Sequence, residues 1–145
     1  MTPNTSQNTS QRLLTDVRVD DAMHRGVLTC AREASLSEVA RVMAERSIHC
    51  VVVENDSGDG GPYWGLVSDL DLVAAATVRD LDDQTAGGTA ASPVVMVTPT
   101  ETLERAAQLM TEHSTSHLVV VDAGLLRPVG VISTLDIAAA LADAG

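Results

Sequence analysis

Two stretches of this 145-residue sequence carry the same kinds of residue in the same order. The first runs Val27-Leu28-Thr29-Cys30, then Ser35 to Ser47, then His49-Cys50-Val51-Val52-Val53-Glu54, then Gly65-Leu66-Val67-Ser68-Asp69-Leu70-Asp71. The second runs Val94-Val95-Met96-Val97, then Thr102 to Ser114, then His117-Leu118-Val119-Val120-Val121-Asp122, then Gly130-Val131-Ile132-Ser133-Thr134-Leu135-Asp136. They align at a spacing of 65 to 68 residues, with one extra residue before His117 and a first-copy loop three residues longer at Asn55 to Trp64. That period is too long for the common solenoid repeats and implies two small units of one design. A chain of this length has no room for a catalytic domain beside a separate regulatory one.

Each copy reads as strand, helix, strand, strand, helix, an α/β chain of the mixed α+β kind. Leu36, Val39, Ala40 and Met43, like Leu103, Ala106, Ala107 and Met110, recur at i, i+3, i+4 and i+7, the stripe of a half-buried helix. Ser35-Leu36-Ser37-Glu38 is a capping pattern that starts the first of these helices. The unbroken Val51-Val52-Val53 and Val119-Val120-Val121 runs suit strands covered on both faces. The closing helices, Leu70 to Val78 and Leu135 to Ala142, are apolar or alanine nearly all round, so each is expected to be covered on more than one side. Burial between the halves would do this, and so would a second copy of the molecule; the reading leans to a homodimer.

Charge and composition exclude several functions. Nine Arg and no Lys stand against twenty acidic residues, a net charge of −11, which argues against nucleic acid as a partner. With Trp64 and Tyr63 as its aromatics and no Phe, the chain lacks base-stacking platforms and needs an aliphatic core. Cys30 and Cys50 sit in no CxxC or zinc-type spacing and suit a reducing, cytoplasmic setting. The polar start, Met1 to Ser10, has neither the basic nor the apolar region of a signal peptide, and no apolar run approaches a membrane span. Residues 1–14 read as a disordered tail, 15–78 as the first repeat, 79–88 as a connector and 89–145 as the second repeat.

The ordered set (a helix ending in Met-x-Glu, a Val-rich strand, then Gly-hydrophobic-hydrophobic-Ser-x-x-Asp), found twice, resembles a tandem pair of CBS domains, the Bateman module. Asp20-Asp21-Ala22-Met23 is similar to the acidic-x-Met opening of that family, and the resemblance covers roughly residues 15 to 142. Both copies carry Val (Val51, Val119) where many members have Pro. The resemblance implies two CBS repeats packed with pseudo-twofold symmetry, with clefts between them that bind adenosine-containing ligands: AMP, ADP, ATP or S-adenosylmethionine. Carried over residue by residue, Ser68 and Ser133 would contact phosphate, while Asp71 and Asp136 would hold the ribose hydroxyls. The adenine would lie against Val27 to Thr29 with Cys50, Val51 and Val52, and against Val94 to Met96 with Leu118, Val119 and Val120. His49 and His117, at matching strand entrances, are further candidates for a phosphate, a ribose or a backbone carbonyl. Arg25, Arg46 and Arg127 are candidates for phosphate contacts.

The Ser-x-x-Asp pairs also fit plain capping boxes that need no ligand. A ligand would use the same geometry, because free N–H groups at a helix start attract phosphate. A net charge of −11 favours a weakly charged adenosine ligand over ATP. No duplicated nucleophile–base pair or metal cluster is discernible, and Asp69 beside Asp71 is matched by Thr134 in the second copy, so no enzyme, resident cofactor or metal is expected. The expectation is a non-catalytic sensor that changes its inter-repeat or dimer geometry on binding an adenosine-type ligand, and passes that change to a client protein. The alternative is a ligand-free structural dimerisation or protein-docking module.

Overall fold

The computed structural model describes residues 5–54, 63–90, 94–124 and 127–144. In chain order it has α1 (Thr5–Asp16), α2 (Val19–Ala22), β1 (His24–Arg25), β2 (Thr29–Cys30), α3 (Leu36–Arg46), β3 (Cys50–Glu54), β4 (Tyr63–Ser68) and α4 (Asp69–Ala76). A 3-10 turn (Leu81–Asp83) and α5 (Ala86–Thr89) lead to β5 (Met96–Val97), α6 (Leu103–Glu112), β6 (His117–Val121), β7 (Pro128–Ser133) and α7 (Thr134–Ala144). The fold is mixed α+β, and the order β2-α3-β3-β4-α4 returns as β5-α6-β6-β7-α7. The chain divides into two compact units, Val27–Val94 and Met1–Gly26 with Val95–Gly145.

In the unit Val27–Val94 the sheet order is β2-β3-β4, with β2 parallel and β4 antiparallel to the central strand. Ser35 starts α3 by accepting a hydrogen bond from the Glu38 N–H (3.2 Å), and Ser47 ends it in the left-handed conformation. Leu36, Val39 and Met43 then pack with Val51, Val53, Val67, Leu72 and Ala75 in an aliphatic core. Residues 79–88 are not a bare connector. Ala86 is fully buried in this core, and its N–H donates to the Ala34 carbonyl. The Gln84 amide donates to the carbonyls of Ala75 and Arg79, which leaves the charged stretch folded against its own unit.

The other unit has sheet order β1-β7-β6-β5 and a core of Val97, Leu103, Ala106, Leu109, Met110, Leu118, Val120, Ile132 and Ile137, joined by Val19. The segment preceding the first copy therefore belongs to the second. Val19 is fully buried, its N–H donates to the Glu101 carbonyl, and β1 pairs antiparallel with β7. Close approach of β1 needs glycine at Gly130, where a Cβ would stand 2.3 Å from the His24 carbonyl oxygen. The expected disordered tail is helix α1 over Thr5–Asp16, because Leu14 and the following Val17 pack on this core.

Sheet pairing also corrects the repeat alignment. Cys50 pairs with Ser68 and His117 with Ser133, so Cys50, not His49, matches His117. The left-handed residues Ser47 and Ser114 (φ 53° and 50°) are likewise 67 positions apart. No extra residue precedes His117, Val52 rather than Val51 matches Val119, and the first loop is two residues longer, not three. The closing helices bury Leu72 and Ala75, or Ile137, on one side only. Within the single chain Leu70, Val73 and Leu135 are 72%, 64% and 69% exposed. Among the described residues no helix is long and apolar enough to cross a membrane.

Candidate functional site

Side chains alternate across a strand, so each sheet has two distinct faces. Val51, Val53 and Val67 of one unit, and Leu118, Val120 and Ile132 of the other, lie in the helix-packed cores. The opposite face carries Thr29, Cys50, Val52, Leu66 and Ser68 in one unit, register partners along the sheet. In the other unit it carries Met96, His117, Val119, Val131 and Ser133. Of the residues expected to contact adenine, Thr29 and Cys50, like Met96 and Val119, therefore share a face with the serine of their own unit. Val51 and Leu118 do not; they are core residues, because neighbours along a strand point to opposite faces of the sheet. Val27 and Val94 are half-buried where the chain enters β2 and approaches β5.

Each serine ends a strand and caps the helix that follows. The Ser68 N–H donates to Asp71 Oδ2 (2.8 Å) while the Asp71 N–H donates to Ser68 Oγ (3.2 Å). The Ser133 N–H donates to Asp136 Oδ2 (2.8 Å) and the Asp136 N–H to Ser133 Oγ (3.1 Å). The duplicated motif thus folds to one geometry twice, with a carboxylate held at the start of each helix. Capping alone fixes one oxygen of each carboxylate and leaves the other, with its lone pairs, to further donors. The two copies then diverge. Asp136 is 8% exposed, and its Oδ1 lies 2.9 Å from His24 Nδ1. Asp71 is half-buried and, among the described residues, has no ion-pair partner.

The expected histidines play different parts. His49 lies just before β3, and its Nδ1 is 3.0 Å from Asp69 Oδ2, while its carbonyl accepts the Asp69 N–H. His117 is the first residue of β6, with Nδ1 3.0 Å from Ser116 Oγ. His24, which sequence reading did not single out, is the histidine in contact with a motif carboxylate. It follows directly on Asp20-Asp21-Ala22-Met23, which reads as the opening of the first repeat, and it pairs with β7 of the second.

Of the arginines considered for phosphate, Arg25 is ion-paired with Asp20, whereas Arg46 and Arg127 are exposed. Burial, then the neighbouring carboxylates of Glu54 and Glu38, push the Cys30 thiol up to about 11, so it is a neutral thiol at pH 7 and a poor nucleophile or metal ligand. Among the described residues no group of three or more His, Cys, Asp or Glu side chains could hold a metal ion.

Comparison with known proteins matches this geometry to a family. The family model of the CBS domain matches residues 19–77 and 87–143, well over half of the chain. A CBS domain-containing protein of Bacillus subtilis, YhcV, is 28% identical over 121 residues, covering 83% of this chain and 82% of that protein. Among solved structures, a hexameric CBS-CP12 protein from bloom-forming cyanobacteria aligns with a TM-score of 0.75 at 25% identity, over 84% of this chain and 69% of that one. The CBS domain pair of protein MJ0100, solved with 5'-methylthioadenosine and S-adenosyl-L-methionine, also aligns at 0.75, with 19% identity over 89% of this chain and 98% of that one. At that identity the second match speaks for the fold alone.

Proposed function

The chain belongs to the CBS domain family, as a tandem pair, and from that premise we propose that it is a non-catalytic regulatory module binding an adenosine-type ligand at the starts of α4 and α7. The observation that carries this reading is the duplicated carboxylate. In both units an Asp is clamped by the same 2.8 Å backbone hydrogen bond, on the sheet face that also carries Thr29 or Met96. A ribose diol presents two O–H donors about as far apart as the two oxygens of a carboxylate, and the N–H groups of a helix start accommodate the neighbouring phosphate. The MJ0100 pair, which has this fold, was solved with two adenosine compounds. Net charge −11 favours AMP or the cationic S-adenosylmethionine over ATP. A ligand held more tightly by one arrangement of the module than by another shifts the balance between them, and this is how a chain without catalytic groups reports a metabolite to a client protein.

Calorimetric titration of AMP, ADP, ATP and S-adenosylmethionine into the purified protein tests the reading. Saturable binding of AMP or S-adenosylmethionine, tighter than that of ATP, is expected. A folded protein silent toward all four removes the ligand reading and favours a docking module.

A second reading has its own support and concerns assembly. Leu70 and Val73 on α4 and Leu135 on α7 are large apolar side chains left mostly in water. Exposed apolar surface of this kind is a common mark of an interface, and the cyanobacterial relative is hexameric. We infer that a second copy covers these residues. Sedimentation is expected to show a dimer that Leu70→Glu/Leu135→Glu converts to monomer; a monomeric wild type overturns the inference.

A further inference from the structure

We propose that His24 occupies the ribose-binding carboxylate of the second repeat and so makes the two nucleoside sites unequal, with the Asp71 site filling before the Asp136 site. The inference rests on the reading of both carboxylates as ribose acceptors given above. It begins from an asymmetry inside a duplicated motif. Both aspartates donate and accept the same capping hydrogen bonds with their serines, which occupy Oδ2. At Asp136 the remaining oxygen, Oδ1, is already taken: it lies 2.9 Å from His24 Nδ1.

His24 is not a loose side chain that touches Asp136 by chance. It lies on β1, in register with Val131 of β7, two residues before Ser133 on the same face. The Gly26 N–H donates to the Val129 carbonyl beyond it, and the Met23 N–H closes α2 onto the Val19 carbonyl before it. The ring therefore starts from a backbone pinned on both sides. The His24 side chain is 80% exposed, while that of the carboxylate it touches is only 7% exposed. A ribose diol approaching Asp136 has to displace this ring or share Oδ1 with it, as it shares Oδ2 with the Ser133 N–H, whereas at Asp71 the described residues leave only Oδ2 to be shared.

Among the described residues the first repeat shows no counterpart. At the offset of 67 that relates Cys50 to His117, His24 corresponds to Ala91, which lies outside the described residues and whose methyl side chain has no donor to offer. Among the described residues the two sites thus differ by one side-chain contact on the carboxylate, and sequential filling follows from that difference.

Calorimetry with AMP and S-adenosylmethionine tests this. In the wild type two classes of site are expected, and His24→Ala should bring the weaker affinity toward the stronger. In the Asp71→Ala background, which isolates the second site, adding His24→Ala is expected to tighten binding about tenfold, the scale of one polar interaction gained by the ligand. In the Asp136→Ala background His24→Ala should change nothing. Circular dichroism checks that each variant is folded, and His24→Gln provides a second variant that keeps a side chain at the position. Unchanged or weaker binding on removing the ring, in proteins that otherwise bind, overturns the proposal and leaves the proposed function standing. Binding that appears only once His24 is removed supports it, whereas no binding by any of the proteins overturns both.

Discussion

An Asp71→Ala/Asp136→Ala double variant is expected to lose affinity for AMP and S-adenosylmethionine by about a hundredfold to ten-thousandfold and to remain folded. A hydrogen bond to a charged acceptor contributes about 1.5–3 kcal/mol, and a diol makes two of them to each carboxylate, so about 3–6 kcal/mol is lost per site. Stability is affected far less. Each aspartate supplies half of a capping box, while Ser68 and Ser133 keep their Oγ acceptors at the caps. Losing one capping partner costs about 0.5–2 kcal/mol, against a typical domain stability of about 5–15 kcal/mol. Removing Asp136 also releases His24, but that ring is mostly in water and can be solvated there. Each single variant should remove one class of site in the titration. A double variant that binds as tightly as the wild type would show that the boxes are caps and nothing more.

The duplication, the order of elements and the helix stripes were legible because each depends on local pattern. Leu36, Val39 and Met43 announce a buried face, and the structure buries all three. The strand alignment was harder for a physical reason. Three consecutive valines in each copy let the two sequences slide by one residue with no loss of similarity, and His-Cys-Val against His-Leu-Val invites the slip. In the protein the slide is forbidden, because one step moves every side chain to the opposite face of the sheet. The fixed points are the left-handed Ser47 and Ser114 and the pairing of Cys50 with Ser68 and His117 with Ser133. The same alternation is why Val51 and Leu118, read as ligand contacts along with their strand neighbours, are core residues. The candidate site was legible in its four motif residues, while the part that separates one copy from the other, His24 on Asp136, depends on a pairing across more than a hundred residues.

Deletion of residues 1–26 is expected to unfold the second repeat, although the deleted segment precedes the first. Chain order suggests that Asp20-Asp21-Ala22-Met23 belongs with the strand that follows it, and on that view the deletion would harm residues 27–94. The structure assigns the segment to the other unit. Val19 is fully buried there, Leu14, Val17, Ala22 and Met23 are partly buried against the same core, and β1 forms the edge strand beside β7. Fully burying one side chain of this size contributes about 1.5–3 kcal/mol, so the set contributes on the order of 5 kcal/mol, comparable to the whole stability of a small domain. Deletion further exposes Leu103, Leu118 and Ile132 and leaves β7 with an unpaired edge, an invitation to aggregate. Hydrogen exchange followed by mass spectrometry is the measurement, because it assigns the loss to a segment. Protection should vanish over 95–144 and persist in β3 and α3, whose core of Leu36, Val39, Val51 and Val67 is built from residues of its own unit. A Val19→Asp substitution should produce the same pattern without shortening the chain, since an unpaired carboxylate cannot be held at a position with no exposure. Protection lost from 27–94 in place of 95–144 would return the segment to the first repeat and detach His24 from Asp136 with it.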